Sequence, residues 1–295
     1  MTRVRLISRR RFLYGSLAGG LAIAGSAPLV PGFAATEGTL ERAKKDGYVT
    51  VGFANEVPFG YADENGNLTG EAPEILRVVV KKIGIPEIEG ILTEFGSLIP
   101  GLKAGRFDIV SAGMYVTPAR CQEILFSEPT YSLAEQLAVK AGNPKKIATY
   151  TEVAADPSIR LAIETGSASI KKALKAGVKD SQIDKFPDVP TAVAALRADR
   201  VDAVVGTALT FSDIIAKGGS SGLEALPPFT SVNGESVVGH GAFGFRKADL
   251  ALRDAVNAQL KSFIGSPEHL ALVGKFGFNK YTLPVLTTEE MCTAR

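Results

Sequence analysis

The chain is poor in the side chains that carry covalent chemistry. It has two cysteines, Cys121 and Cys292, far apart and outside any C-x-x-C, which argues against dithiol redox catalysis and a cysteine-bound zinc. Its two histidines, His240 and His269, are distant from each other and form no H-E-x-x-H. G-x-S-x-G, P-loop and clustered-carboxylate patterns are missing as well, so no catalytic residue, metal or cofactor is expected. Gly239-His240-Gly241 reads as a flexible hinge element rather than the setting of a catalytic base. No Asp or Glu occurs before Glu37, whereas five Arg fall in the first 35 residues. Without them 28 basic residues face 31 acidic ones, a net charge of −3, and no basic patch is left to argue for nucleic acid.

What the first 35 residues contain is an address. Ser8-Arg9-Arg10-Arg11-Phe12-Leu13 has the S-R-R-x-F-L form read by the twin-arginine export pathway, and it precedes an uncharged Gly/Ala-rich stretch from Phe12 to Thr36. The stretch ends in Pro31-Gly32-Phe33-Ala34-Ala35, small residues that suit cleavage near Ala35. A membrane anchor is the competing reading. Gly19, Gly20, Pro28 and Pro31 make a poor spanning helix, which needs about 20 apolar residues. No cysteine stands at the cleavage region to take a lipid, so a freely diffusing periplasmic protein is expected. In an oxidising compartment Cys121 and Cys292 either bridge or remain two buried thiols; the position of Cys292 in a terminal tail that needs tethering favours the bridge.

After the leader, strand and helix signals alternate, the pattern of an α/β fold with parallel sheets. Strands are expected at 48–53, 91–95, 107–110, 160–163, 183–186, 203–205 and 242–245. Helices are expected at 71–83, 98–104, 167–176, 190–198, 209–217, 250–264 and 267–276. Within the first helix Ile75, Leu76, Val79, Val80 and Ile83 repeat at helical spacing, and Asn65-Gly66 before it is a hairpin signal. Residues 135–140 read as extended. The alternation restarts after Ala141-Gly142-Asn143-Pro144, which suggests two α/β lobes joined by two crossings near 139–143 and 237–242. Residues 36–140 with 240–295 are expected to form a discontinuous lobe one, and 141–239 lobe two. A cleft between such lobes is a natural trap for a small molecule.

Four segments, in order, resemble the family-three bacterial extracellular solute-binding proteins. They are Gly70-Glu71-Ala72-Pro73-Glu74-Ile75, Leu98-Ile99-Pro100-Gly101-Leu102-Lys103-Ala104-Gly105-Arg106-Phe107-Asp108, Gly113-Met114-Tyr115-Val116-Thr117-Pro118-Ala119-Arg120, and Leu196-Arg197-Ala198-Asp199-Arg200-Val201-Asp202-Ala203-Val204. The resemblance implies the type II periplasmic-binding-protein fold and a role as the receptor of an ABC importer. Such a receptor binds a small zwitterion, works as a monomer and meets an ABC permease in the inner membrane. Within the family, Ala54-Asn55-Glu56-Val57-Pro58-Phe59, Glu94-Phe95-Gly96 and Pro118-Ala119-Arg120-Cys121 are similar to members that bind the compatible solutes ectoine and hydroxyectoine. That likeness also implies a Cys121–Cys292 disulfide.

The resemblance, read with the chemistry of the residues, gives a candidate site. Arg120, at the end of the G-M-x-x-T-x-x-R segment, is expected to grip a carboxylate through two charge-assisted hydrogen bonds, and Thr117 of the same segment is expected to contact the ligand as well. Phe59, Phe95 and Tyr115 are expected to form an aromatic box for a delocalised cation; Tyr115 stands where amino-acid receptors of the family tend to carry a small hydroxyl residue. Phe59 and Phe95 read equally as plain core residues. Glu56 is expected to accept from the ligand's N–H groups, against the alternative of a solvated loop acid. In lobe two, Thr165, Gly166 and Ser167 precede a helix and are expected to offer donors, although Ala168 replaces a second Ser/Thr and Ser167 reads equally as a plain cap. Gly206-Thr207 departs further: many α-amino-acid receptors have an Asp there for the ammonium, so Thr207 points away from an ordinary amino acid. An amino acid, an opine or a betaine is the rival ligand, and an exported enzyme the rival class.

Overall fold

The computed structural model describes residues 38–211 and 222–294. The expected leader at 1–35 and most of the expected helix at 209–217 lie outside them. Helix α1 (Thr39–Asp46) leads into β1 (Tyr48–Phe53) and a small hairpin, β2 (Tyr61–Ala62) and β3 (Leu68–Thr69). Between its strands Asp63 accepts from the backbone N–H groups of Asn65 and Asn67, turn chemistry that the Asp-x-Asn-Gly-Asn run announces. Helix α2 (Glu71–Lys82) buries Ile75, Leu76, Val79 and Val80 as one stripe. There follow β4 (Glu87–Leu92), α3 (Leu98–Lys103), β5 (Ile109–Tyr115), α4 (Pro118–Glu123), β6 (Leu125–Phe126) and β7 (Tyr131–Leu133).

The second run is β8 (Glu135–Lys140), α5 (Tyr150–Ala155), β9 (Leu161–Glu164), α6 (Ser169–Lys175), β10 (Ile183–Phe186), α7 (Val189–Arg197), β11 (Ala203–Thr207) and β12 (Leu223–Ala225). A hairpin of β13 (Ser231–Val232) and β14 (Glu235–Ser236) precedes β15 (Gly239–Phe245). Helices α8 (Leu250–Phe263), α9 (Pro267–Gly274) and α10 (Thr288–Thr293) close the described chain.

Two sheets organise these elements, in the order β4-β1-β5-β15-β6, with β7 beside β15, and β10-β9-β11-β8-β12. In the first, β1 is parallel to β4 and β5, whereas β15 runs antiparallel to β5, β6 and β7. In the second, β9 is parallel to β10 and β11, and β8 is antiparallel to β11 and β12. This is the expected α/β architecture of two lobes joined by crossing strands, with mixed rather than purely parallel sheets. Each lobe has two cores, one on either face of its sheet. Asp108 fastens the two ends of lobe one together: it accepts from the Thr50 N–H (3.1 Å) and hydroxyl (2.8 Å) and pairs with Arg246 beyond β15 (2.9 Å).

Three expectations need correction. Residues 135–140 were assigned to lobe one, yet Glu135–Val139 pair along β11 in the sheet of lobe two, so the first crossing lies at Leu133–Glu135. Extended character alone carries no information about which sheet a strand joins. The strand expected at 91–95 begins at Glu87 and ends at Leu92, because β4 is an edge strand whose charged residues face out and interrupt the apolar run; Phe95 instead opens a 3-10 turn. Gly239-His240-Gly241 is no flexible hinge: all of β15 is buried, and its pairing with Tyr131–Leu133 makes it the interior of a sheet.

Candidate functional site

The lobes face each other across a cavity of about 490 Å³, its open mouth included. Arg120 enters it from α4. That six-residue helix is too short to hold by propensity alone. It is fixed by Pro118 in its first turn, by the Thr117 hydroxyl accepting from the Arg120 N–H (3.3 Å), and by a disulfide from Cys121 to Cys292 of α10, with Cα atoms 5.7 Å apart. The Cys121–Cys292 pairing is thus as expected. The guanidinium is spread between lobes: Nη1 donates to the Tyr115 carbonyl (2.6 Å) and Nη2 to the Gly166 carbonyl of lobe two (2.8 Å). Burial lowers its pKa to about 10, so the group stays charged at neutral pH. Two of five N–H donors are spent, and three remain for a ligand.

The aromatic wall differs in membership from the expected box. Phe59 and Tyr115 are joined through a third ring, Tyr131, at 5.4 and 6.2 Å between centroids, with Phe278 behind at 5.1 Å from Tyr131. Phe95 stands apart from these rings, 5.6 Å beneath the Arg120 guanidinium. Phe59 and Phe95 also belong to the two cores of lobe one, so each is a core residue with one face on the cleft. The wall depends on two glycines of β15. A Cβ on Gly239 would lie 2.0 Å from the Tyr115 ring, and one on Gly241 2.1 Å from the Tyr131 ring. The Tyr131 hydroxyl donates to the Gly113 carbonyl (2.7 Å), whereas the buried Tyr115 hydroxyl has no partner.

Glu56 is presented by a tight loop in which its carbonyl accepts from the N–H groups of Phe59 (2.8 Å) and Gly60 (3.0 Å). In lobe two, Ser167 and Thr207 line the cavity. Both hydroxyls also hold their own turns: Ser167 Oγ accepts from Ser169 N–H (3.3 Å), and Thr207 and Thr210 share a hydrogen bond at 2.9 Å. Thr117, Thr165 and Gly166 do not line the cavity. Thr117 caps α4, and Gly166 contributes the carbonyl held by Arg120.

Among the lining residues that escaped the sequence reading, Tyr131 and Glu164 carry the most chemistry. Tyr131 has no local mark beyond an apolar strand. Glu164 does have one, since an acid closing the strand Leu161–Glu164 sits at the carboxyl edge of a parallel sheet, where ligands of α/β folds gather. Burial raises the pKa of both Glu56 and Glu164, and the nearby Glu56 charge pushes Glu164 further. Beside the cavity Lys172 lies 4.8 Å from the Tyr115 ring. Its ammonium is already held by Glu135 (2.6 Å), at the first crossing, and by the Val237 carbonyl (2.7 Å), before the second. The cavity therefore offers a guanidinium, two acids and several π-faces to one small guest. Among the described residues no group of His, Cys, Asp and Glu suits a metal ion, and no helix is long and apolar enough to cross a membrane.

Comparison with known proteins places this geometry in a series. The family model for bacterial extracellular solute-binding proteins, family 3, matches residues 49–279. The probable amino-acid ABC transporter periplasmic-binding protein y4tE of Sinorhizobium fredii is 36% identical over 262 residues, 86% of either chain. Among solved structures, EhuB in complex with hydroxyectoine is similar at a TM-score of 0.80 and 32% identity, covering 87% of this chain and 98% of that one. The ancestral amino acid-binding protein AncCDT-1, a precursor of cyclohexadienyl dehydratase, is similar at 0.68 and 26% identity, covering 81% and 99%.

Proposed function

Because the chain belongs to the bacterial extracellular solute-binding proteins, family 3, and is thereby a periplasmic solute-binding receptor of an ABC transporter, we propose that its solute is ectoine or hydroxyectoine. The observation that carries the reading is the meeting, in one small cavity, of the Arg120 guanidinium, the Glu56 carboxyl and the wall of Phe59, Tyr115 and Tyr131. Ectoine pairs a carboxylate with a delocalised cyclic amidinium. Arg120 would receive the first, while the rings and Glu56 would receive the second. The likeness to a hydroxyectoine complex supports this choice. Lobe one, residues 38–134 with 238–294, would bind first; lobe two would close and exclude water before delivery to the permease. Phe95 serves by backing Arg120, and Ser167 and Thr207 by offering hydroxyls. The process is capture and release without turnover, by a protein exported through the twin-arginine leader at 1–35.

A second reading keeps the class and changes the guest. The name of the Sinorhizobium relative speaks of an amino acid, and Glu164 supplies lobe two with an acid that the Gly206-Thr207 departure had seemed to remove. Titration calorimetry of the purified protein with ectoine, hydroxyectoine, proline, arginine and glycine betaine separates the two. Micromolar or tighter binding of ectoine supports the first reading; no heat with ectoine and tight binding of an amino acid replaces it.

A further inference from the structure

The buried acid at the end of β9 faces the cleft with nothing to bond to. Glu164 is 7% exposed and lines the cavity opposite Glu56, each acid contributed by a different lobe. Neither carboxyl has a hydrogen-bond partner among the described residues, and the Tyr115 hydroxyl in the same cavity is buried and unpartnered too. Neither nearby cation hydrogen-bonds to these two carboxyls. Lys172 is held by Glu135 and the Val237 carbonyl, and Arg120 gives donors to the Tyr115 and Gly166 carbonyls. An ionised carboxylate buried without donors costs several kcal/mol, roughly the range that drives a group to neutralise instead. The two acids thus face the cavity without donors of their own, which a cationic guest with N–H groups would supply.

We propose that Glu164 is the lobe-two acceptor for the ligand's cation, closing on it from the side opposite Glu56, so that the site selects a cation bearing at least two N–H donors and rejects a fully methylated one. This rests on the solute-receptor reading above. An amidinium or guanidinium presents divergent N–H groups to two carboxylates while its flat face lies against the rings; a quaternary ammonium satisfies the rings and leaves both acids without donors. The acid that amino-acid receptors of the family often carry after the strand of Ala203–Val205 is replaced here by one from a different strand, β9. Burial pushes both carboxyls toward the protonated form in the unliganded cavity, Glu164 to about 10 and Glu56 to about 7; Glu164 also faces Asp188 and Arg120, and Tyr115, Tyr131 and Lys172 complete the ring of titratable groups. A cation entering between them ionises the pair and sends protons to solvent.

The test is calorimetry of wild type, Glu164→Gln and Glu56→Gln with ectoine, arginine and glycine betaine, each in two buffers of different ionisation enthalpy. Circular dichroism melts establish that the variants are folded. The expected result is that wild type binds ectoine or arginine and not glycine betaine. Glu164→Gln should weaken that binding by about tenfold or more, the scale of a lost charged hydrogen bond, and reduce the buffer dependence of the heat. A Glu164→Gln affinity within about twofold of wild type, or glycine betaine bound as tightly as ectoine, overturns the assignment of Glu164 while leaving the receptor reading intact. If folded wild type binds none of the three, both fall together.

Discussion

Glu71 illustrates how one residue's surroundings outweigh its position. It opens α2, where the helix N-terminus favours a negative charge by roughly 0.3–1 kcal/mol. Yet it is 1% exposed, and burial lifts its pKa from 4.5 to about 8; the nearby Thr130 hydroxyl works against the rise without hydrogen-bonding to either oxygen. Because the folded-state value lies above the unfolded one, the proton is held more tightly in the fold. Its contribution to stability is complete below about pH 4.5 and is lost as pH rises through about 8. Glu71→Gln should therefore flatten the decline of stability over that window, by up to about 1.4 kcal/mol per pH unit. Paired urea melts of variant and wild type between pH 5 and 9 check it; parallel curves would refute it. Arg120 was legible in the sequence because its segment names it, but Thr117 in the same segment was read as a ligand contact and turned out to be the cap that holds the arginine's helix. A pattern marks which residues belong together without separating the one that touches from the one that supports. Tyr131 was missed because it looks like ordinary strand content until a facing lobe is placed opposite, whereas Glu164 carried a signal, an acid at the carboxyl end of β9, that went unused.

At the scale of elements, the cleft depends on two close junctions, one between backbones and one through a disulfide. Residues 94–97 of lobe one touch the 164–167 turn of lobe two at Gly96 and Gly166: a Cβ on Gly166, which has φ +83, would lie 2.7 Å from the Gly96 Cα. Gly166→Ala should hold the lobes apart, weakening ligand binding by about tenfold or more while lobe-two secondary structure survives. Calorimetry with circular dichroism reads both, and unchanged affinity would dismiss the contact as incidental. The second place is α4, tied to α10 across a sequence separation of 171 residues. Cys292→Ser should cost about 2–4 kcal/mol of stability and loosen the anchorage of Arg120, which a chemical melt and a ligand titration measure side by side. Periodicity and turn chemistry were enough to find α2, β1 and the β2–β3 hairpin. They failed at β4, whose charged edge hides its start, and at β15, where three glycines in seven residues imitate a loop while two of them, Gly239 and Gly241, admit the tyrosine rings by their lack of side chains.

For the molecule as a whole, the alternation of strand and helix sufficed to imply two α/β lobes. The antiparallel strands β8 and β15 were not legible as such, since a crossing strand looks like any other extended segment and its sheet is chosen by distant partners. Those two strands make the lobes mechanically continuous, and the buried Glu135–Lys172 pair with the Tyr150 hydroxyl (2.5 Å from Glu135) stiffens the junction. Motion is thus expected as lobes swinging about the crossings. Saturation with the cognate solute should lower the radius of gyration in small-angle scattering. At 100 times Kd it should also add about 2.7 kcal/mol of stability, or roughly 5–10 °C in Tm. An unchanged radius with full thermal stabilisation would mean that the lobes do not swing.

Because β15 lies between β5 and β6 in the first sheet, half of the binding wall waits on residues 239–245, and the anchorage of the arginine waits on residue 292. A nascent chain still short of those positions has made every aromatic of the wall but has nowhere to seat Tyr115 and Tyr131. Competence to hold a solute should therefore switch on only once these positions have been made, rather than accumulate as the polypeptide grows.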